Sequence, residues 1–157
     1  MNCAPLPIGM TATRESNVKI LLVEDSKPMR KENESALLRA GYEVITAEDG
    51  ETALVAAKEQ KPDLVLLDMI LPRMSGPEVL KHLKADPATA EIPVVVLSSL
   101  TEKNREKLME DGADEYLEKN ALMPGPGINL LPRTLENLIC RINRKRGIAF
   151  SNIPVPR

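Results

Sequence analysis

Residues Leu64–Gly76 read LVLLDMILPRMSG, and this stretch decides the fold. The apolar run Leu64–Leu67 is short and uninterrupted, which is typical of a strand buried on both faces of a parallel sheet. The run ends on Asp68, and Pro72 and Gly76 beyond it indicate a loop and the start of a helix. Open α/β sheets bind ligands at the carboxyl ends of their central strands, so Asp68 is either a simple strand end or a functional acid.

The composition bounds the class of protein. A length of 157 residues favours one domain that is large enough to bury a core. Aromatic residues make up only 2% of the chain, so the core must be aliphatic and base stacking on nucleic acid is not expected. The net charge of −2 gives no general attraction to nucleic acid or anionic lipid, and no apolar run is long enough to span a membrane. We therefore expect no direct nucleic-acid partner and no membrane partner.

Two cysteines and the two chain ends bear on location and boundaries. Cys3 and Cys140 follow no pattern, which predicts neither a disulfide framework nor a thiolate metal site and favours a reducing compartment. Residues 1–17 lack the basic and apolar regions of a signal peptide, so we expect a cytoplasmic protein. We predict a flexible segment over 1–17, one folded domain over 18–146 and a flexible tail over 147–157.

Apolar runs and helical spacings alternate five times along the chain. Strands are predicted at Val18–Val23, Tyr42–Ala47, Leu64–Asp68, Val94–Leu97 and Glu115–Leu117. Helices are predicted from Ser26 to Gly41, from Asp49 to Gln60, from Gly76 to Lys84, from Thr101 or Glu102 to Gly112, and from Leu131 to about Ile142. A long loop rich in Pro and Gly is predicted at Asn120–Pro132. This alternation predicts a doubly wound parallel sheet with right-handed crossovers.

Acidic, hydroxyl and basic residues follow the predicted strands at their carboxyl ends: Glu24, Asp25, Asp68, Ser98 and Lys119. Because parallel strands end at one edge of the sheet, we expect these side chains to meet there. Three carboxylates that meet need a cation, and hard oxygen ligands favour Mg²⁺. A hydroxyl and a lysine suit phosphoryl oxygens, so the set predicts phosphoryl transfer to an aspartate. Taken alone, Glu24 and Asp25 would also fit a charged strand end before a helix.

Four motifs carry a resemblance to a known family. They are Val23-Glu24-Asp25-Ser26, Asp68-Met69-Ile70-Leu71-Pro72 with Met74-Ser75-Gly76, Pro93-Val94-Val95-Val96-Leu97-Ser98, and Gly112-Ala113-Asp114-Glu115-Tyr116-Leu117 leading to Lys119. In this order they resemble the receiver domain of bacterial two-component response regulators, from about Val18 to Arg146. The resemblance implies an α/β fold of the flavodoxin-like or CheY-like type, a doubly wound five-stranded parallel sheet of order 2-1-3-4-5 with helices on both faces.

The resemblance also implies a function and a metal. Asp68 would accept a phosphoryl group, in a Mg²⁺-dependent reaction, from a sensor histidine kinase, a phosphotransfer protein or a small phosphodonor. Asp25 and Asp68 would hold Mg²⁺ directly with the backbone carbonyl of Ile70, and Glu24 would act through a bound water. No organic cofactor is implied. The chain would be a phosphoacceptor signalling domain and not an enzyme, promoting only its own phosphorylation and dephosphorylation.

The same resemblance assigns roles to a hydroxyl, a lysine and an aromatic residue. Ser98 would bind the phosphoryl group, although the neighbouring Ser99 competes for this role, and Lys119 would pair with the same group. Additional donors would be the backbone N–H groups of Met69, Ile70 and Ser99. Tyr116 would be the switch aromatic that turns inward when Ser98 shifts; plain core packing is the alternative for Tyr116.

Switching would change a protein-interaction face made of the fourth helix, the fifth strand and the last helix. The fourth helix has a thin apolar face, chiefly Leu108 and Met109, which suits an element that moves. The downstream partner would be a protein bound to that face, and a homodimer is left open. The chain would be a single-domain regulator or the receiver portion of a longer one. The alternative function is a pseudo-receiver that acts as a phosphorylation-independent docking module.

Some positions depart from the family pattern or stand outside it. Asn120 replaces the proline that usually follows the lysine, and a cis bond before a non-proline costs about 2.5–4 kcal/mol, so we expect a trans Lys119–Asn120 bond. Ile70 is apolar where a polar residue often stands, which predicts slow loss of phosphate. The cluster Arg141–Arg146 is most simply favourable charge at a helix C-terminus, with docking as the alternative. His82 is expected to be a surface or half-buried residue and not the phosphodonor.

Overall fold

The computed structural model describes residues 18–99 and 105–145. The strands are β1 (Lys19–Val23), β2 (Glu43–Ala47), β3 (Leu64–Asp68), β4 (Val94–Ser98) and β5 (Glu115–Glu118). The helices are α1 (Lys27–Arg39), α2 (Gly50–Gln60), α3 (Gly76–Ala85), α4 (Arg105–Glu110), α5 (Lys119–Leu122) and α6 (Leu131–Lys145). The strands form one parallel sheet in the order β2-β1-β3-β4-β5, which confirms the predicted fold class. The predicted end segments 1–17 and 147–157, and the predicted helix start at Thr101 or Glu102, lie outside the described residues.

The pairing register brings the carboxyl ends of the strands to one edge. In this register Val23 lies opposite both Ala47 and Leu67, Asp68 lies opposite Leu97, and Ser98 lies opposite Glu118. Every residue of β3 and β4 is buried, as predicted for central strands covered on both faces. Residues that follow these strands therefore share the rim of the sheet.

Successive residues along each strand point to opposite faces of the sheet and belong to two aliphatic layers, one on each face. One layer includes Val23, Leu67 and Val96 and packs against α2, α3 and α4. The other includes Leu22 and Leu66 and packs against α1 and α6. The two layers fix both faces of the sheet, which leaves its carboxyl-terminal edge open for a site.

Helix starts near that edge are set by short polar residues. The Asp49 side chain accepts the N–H of Thr52 at 2.8 Å and caps α2, and the Ser75 hydroxyl accepts the N–H of Glu78 at 3.4 Å and caps α3. Ser26 occupies the N-cap position of α1, but its side chain makes no capping hydrogen bond.

The predicted loop Asn120–Pro132 is the main difference from the sequence prediction. Its first part is helical, because α5 runs from Lys119 to Leu122, and α6 already begins at Leu131. Leu122 is buried in the layer that α6 covers, so one apolar side chain draws the segment into a helical turn.

Cys140 corrects another expectation. It is buried in α6 and is disulfide-bonded, which contradicts the expectation of no disulfide framework. Among the residues that the structure describes, no helix has the length and apolar character needed to cross a bilayer.

Candidate functional site

The Asp68 carboxylate lies at the centre of the candidate site, at the last position of β3. Asp68 is 5% exposed, and the backbone N–H of Ile70 donates to its Oδ1 at 3.4 Å. The start of α3 fits closely against this turn, since the N–H of Gly76 donates to the Met69 carbonyl at 3.0 Å. A Cβ on Gly76 would lie 2.5 Å from the Asp68 carbonyl oxygen. Only glycine fits there without moving the backbone that carries Asp68.

Two further carboxylates follow β1. Glu24 is 2% exposed, whereas Asp25 is open to solvent. Nη1 of Arg30 holds the backbone of this turn, because it donates to the carbonyl oxygens of Glu24 at 3.0 Å and of Asp25 at 3.5 Å. Carboxylate oxygens of Glu24, Asp25 and Asp68 lie within 4.8 Å of one another. The structure therefore brings together the three acids that the sequence singled out.

Lys119 enters the same group of acids from the far end of the chain. Its Nζ lies 3.1 Å from Asp68 Oδ2 and 3.1 Å from each carboxylate oxygen of Glu24. The described residues contain no cis peptide bond, so the Lys119–Asn120 bond is trans as predicted. The missing proline does not prevent the lysine from reaching the acids.

Burial and charge shift the pKa values of two of these groups. Desolvation by burial, together with the neighbouring Asp68, raises the pKa of the Glu24 carboxyl to about 8, and Lys119 opposes this shift. Burial acts against the charge of Lys119, but the carboxylates of Asp68 and Glu24 outweigh it and raise the pKa of the amine. The arrangement therefore favours a charged lysine beside acids that are short of counter-charge.

These residues open onto a cleft of about 440 Å³. It is lined by Glu24, Asp25, Ser26, Met29, Asp68, Ile70, Ser99, Lys119, Asn120 and Met123. Ser99 contributes to this wall and is exposed, whereas Ser98 is 1% exposed at the last position of β4. Ile70 is 60% exposed at the mouth. The cleft combines an acidic floor with the apolar side chains of Met29, Ile70 and Met123.

The donor set suits a hard divalent cation. Three carboxylates within 4.8 Å of one another offer only oxygen ligands, which Mg²⁺ and Ca²⁺ prefer over the nitrogen and sulfur ligands typical of zinc. The exposed Asp25 gives a hydrated ion access to the cluster. The three carboxylates could thus hold a hard divalent ion.

The remaining sequence candidates fall outside the cleft lining. Tyr116 is buried in the layer beside α4, and His82 is exposed on α3. The cations Arg141 and Lys145 of α6 both reach the buried Glu115 of β5, with Nη1 to Oε1 at 3.0 Å and Nζ to Oε1 at 3.6 Å. The sequence did not predict these two ion pairs, because nothing in the strand pattern marks Glu115 as a buried acid.

A search for related families and proteins agrees with this geometry. A family model described as "Response regulator receiver domain" matches residues 20–124. The phosphate regulon transcriptional regulatory protein PhoB of Pseudomonas aeruginosa is 36% identical over 137 residues, which cover 87% of this chain and 56% of that protein. PhoB of Escherichia coli is 41% identical over 102 residues, covering 64% of this chain and 44% of that protein. The chain spans about half the length of these curated relatives.

Solved structures show the same fold. The chemotaxis protein CheY4 of Vibrio cholerae superposes with a TM-score of 0.68 at 30% identity, covering 81% of this chain and 99% of that chain. The N-terminal domain of a response regulator receiver protein from Methanoculleus marisnigri gives a TM-score of 0.60 at 36% identity, covering 82% and 96%. These matches confirm the family that the motifs suggested and give no support to the pseudo-receiver alternative.

Proposed function

Because the chain belongs to the response regulator receiver domain family, we propose that it accepts a phosphoryl group on the Asp68 carboxylate. The observation that carries this proposal is the meeting of Asp68 with Glu24, Asp25 and Lys119 at one open cleft. One cation among three carboxylates leaves a negative site, which suits a divalent ion and a phosphoryl group bound together.

The reaction has one covalent step. A carboxylate oxygen of Asp68 attacks the phosphorus of a phosphohistidine or of a small acyl phosphate, and the P–O bond of a new acyl phosphate forms. The donor's bond to phosphorus breaks, and its electron pair leaves with the imidazole, which takes up a proton from water, or with the carboxylate of the small donor. The Nζ of Lys119, 3.1 Å from Asp68 Oδ2, supplies positive charge where the phosphoryl oxygens would lie.

Mg²⁺ is the proposed metal for this reaction. Asp25 and Asp68 would hold it with the backbone carbonyl of Ile70, and Glu24 would act through a water. When bound, the ion neutralises charge between the carboxylates and the phosphoryl oxygens. The all-oxygen cluster supports this assignment.

A hydroxyl and backbone donors would complete the binding of the phosphoryl group. We assign the hydroxyl to Ser98, by the family pattern, with Ser99 as the competing residue because it lines the cleft. The N–H of Ile70, which donates to Asp68 Oδ1, is already directed at the carboxylate. The N–H groups of Met69 and Ser99 would serve in the same way.

Phosphorylation would be read out through α4, β5 and α6. α4 buries only Leu108 fully and Met109 in part, which supports the predicted thin anchorage of this helix. Tyr116 of β5 lies in the same layer, so an inward or outward turn of its ring would alter the packing under α4. The proposed role of this face is to bind a downstream protein or a second copy of the chain.

The proposal extends to the donor, the boundaries and the location. A sensor histidine kinase or a phosphotransfer protein would supply the phosphoryl group, and the receiver unit would span 18–146 of a single-domain or longer regulator. We also propose a cytoplasmic location. The disulfide at Cys140 argues against this location, because disulfides are rare in that compartment. Alkylation of Cys140 in protein trapped directly from cells would show that the bond is absent there and support the location, and an oxidised Cys140 would contradict it.

Intact-mass measurement tests the function directly. Wild-type protein incubated with Mg²⁺ and acetyl phosphate should gain the mass of one phosphoryl group, and Asp68→Asn should gain none. Asp114→Asn, which removes a carboxylate at the opposite edge of the sheet, is the matched control and should behave as wild type. Chelation of Mg²⁺ should abolish the gain.

One other result would support the alternative function, a pseudo-receiver that acts without phosphorylation. If the wild-type chain stays unmodified with acetyl phosphate and with a phosphorylated histidine kinase, while Asp68→Asn still supports its biological role, the phosphoacceptor function is wrong.

A further inference from the structure

The segment after β5 holds the lysine of the site without the proline that the family usually places there. Lys119 is the first residue of α5, and its side chain has four rotatable bonds. Its Nζ nevertheless reaches the carboxylates of Asp68 and Glu24 at 3.1 Å. A group placed this exactly needs support from its surroundings. That support must come from residues that fix α5 and the chain beyond it.

One support is the return of the segment onto its own start. The N–H of Leu130 donates to the carbonyl of Leu122 at 2.8 Å, so the chain closes a loop directly behind α5. The Leu122 side chain is buried beside Leu131 and Leu135 of α6. These contacts join α5 to α6 in a layer that also contains Leu37 of α1, but neither of them is a polar contact to α1, the helix that follows Glu24 and Asp25.

A side-chain hydrogen bond connects the segment after β5 to α1. Nδ2 of Asn129 donates to Oδ1 of Asn33 in α1 at 3.0 Å, and Asn129 Oδ1 accepts the N–H of Leu131 at 2.9 Å. Asn33 is 5% exposed, so this polar group is buried and depends on its partner. Asn33 lies one helical turn beyond Met29, and Met29 and Met123 both line the cleft.

The bond therefore ties the two sides of the cleft together. α1 follows the turn that carries Glu24 and Asp25, whereas Asn129 ends the segment that begins with Lys119. We propose that the Asn33–Asn129 hydrogen bond is a positioning device, which holds the segment after β5 against α1 and so keeps Lys119 in register with Asp68 and Glu24. This inference rests on the proposed phosphoacceptor function only for its effect on rate.

A double-mutant cycle tests the effect on rate. Asn33→Ala removes the link and leaves the acceptor that Asn129 gives to α6. In the protein that keeps Lys119, Asn33→Ala should slow phosphoryl uptake from acetyl phosphate about tenfold, as expected when a reacting group is held less tightly. In the Lys119→Met background it should cause no further loss, because the residue it positions is absent. Asn33→Asp keeps the acceptor for Asn129 and should restore most of the rate.

Chemical labelling tests the same idea without phosphorylation. Amine acylation of the unmodified protein, read by peptide mapping, should be faster at Lys119 in Asn33→Ala than in wild type. Lys84, which is held at the opposite edge of the sheet, should label at the same rate in both proteins. Faster labelling of Lys119 alone supports the inference even if the chain never takes up phosphate.

Three outcomes would overturn the inference. The first is an unchanged labelling rate at Lys119 in Asn33→Ala. The second is an equal increase at Lys119 and Lys84, which would indicate general loosening of the fold. The third is an equal loss of rate from Asn33→Ala in both Lys119 backgrounds.

Discussion

Lysines at opposite edges of the sheet meet acids in different surroundings. At the amino-terminal edge, Nζ of Lys84 donates to the carbonyl oxygens of Ala90 at 3.2 Å and Ile92 at 2.9 Å. The same Nζ lies 3.5 Å from Asp114 Oδ2, which also accepts the N–H of Val94 at 2.9 Å. Here one cation meets one carboxylate. The other hydrogen bonds of both side chains go to backbone groups.

At the carboxyl-terminal edge the charges are out of balance. Lys119 contacts two carboxylates, those of Glu24 and Asp68, and Asp25 adds a third within 4.8 Å of both. This group opens onto a cleft. Lys84 instead contacts the chain just before β4 and just before β5. A balanced ion pair among backbone groups stabilises the fold. An excess of acid at an open edge costs stability and can bind a cation and a phosphoryl group.

The largest expected difference is between the two lysines themselves. Lys119→Met should lower the rate of phosphoryl uptake from acetyl phosphate by about a hundredfold, as when an oxyanion donor is removed from an enzyme. Lys84→Met should leave that rate nearly unchanged per folded molecule. It should lower the free energy of unfolding by about 1 kcal/mol, because half-buried acceptors lose a charged donor. Phosphorylation kinetics by intact mass and urea titration measure the two effects.

This pair of variants can break the comparison. If Lys84→Met slows phosphoryl uptake as much as Lys119→Met does, the two edges are not functionally distinct. If Lys119→Met costs as much stability as Lys84→Met and has no effect on rate, Lys119 is a structural lysine.

Two glycines give the next largest contrast. An alanine at Gly76 would put its Cβ 2.5 Å from the Asp68 carbonyl oxygen, so Gly76→Ala should displace Asp68 and slow phosphoryl uptake about tenfold or more. Gly112 has φ +115°, and a Cβ there would lie 2.8 Å from Cγ of Lys84. Gly112→Ala should therefore lower the melting temperature and leave the rate per folded molecule unchanged. A rate loss in Gly112→Ala alone would reverse this assignment.

Sequence reasoning predicted the carboxyl-terminal edge better than its supports. Leu64–Leu67 and the later apolar runs predicted the buried strands correctly. A parallel sheet then required that Glu24, Asp68 and Lys119 lie close together at one edge. Such convergence follows from the chain path alone, because strands that run in parallel end together.

Contacts between side chains on separate helices could not be predicted in this way. Asn33 and Asn129 are 96 positions apart, and neither stands at a strand end. The helical turn at Lys119–Leu122 was not predicted, because the Pro and Gly residues at 124–127 indicate a loop and the single apolar Leu122 gives no helical pattern. Each of these features depends on packing between elements, which no local pattern records.

The hydroxyl at the end of β4 is the third test of the functional edge. Ser98→Ala should slow phosphoryl uptake about tenfold, the cost of one hydrogen bond to a charged group, whereas Ser99→Ala should have little effect. Ser98 follows the family pattern but is buried, and Ser99 lines the cleft. Parallel kinetics of the two alanine variants decide between them. A larger loss in Ser99→Ala would move the hydroxyl role to Ser99.

A smaller effect is expected at the mouth of the cleft. Ile70 is 60% exposed there and offers no polar side-chain group to hold an attacking water. Ile70→Asn should therefore shorten the lifetime of the phosphorylated protein severalfold. Loss of the phosphoryl mass with time, after removal of the donor, measures the lifetime in both proteins. Equal lifetimes would count against the proposed effect of the apolar residue.

The smallest expected effect is on the pH dependence of stability, and it tests the charge imbalance itself. The pKa of Glu24 rises from an ordinary 4.5 to about 8 on folding, so the folded protein binds more protons than the unfolded chain between those values. Stability without metal should therefore fall as the pH rises from about 4.5 to about 8, and Glu24→Gln should lack this contribution. Melting temperatures of both proteins in a chelator, across that range, measure the difference.

Addition of Mg²⁺ gives the same argument in the opposite direction. A cation bound by Asp25 and Asp68 would favour the charged form of Glu24, so Mg²⁺ should stabilise wild type more at pH 8 than at pH 5. The gain from Mg²⁺ at pH 8 should shrink in Glu24→Gln, because the variant carries one acid fewer. If wild type and Glu24→Gln differ in melting temperature by the same amount at every pH, with and without Mg²⁺, the prediction is wrong. The charges around Lys119 would then be as balanced as those around Lys84.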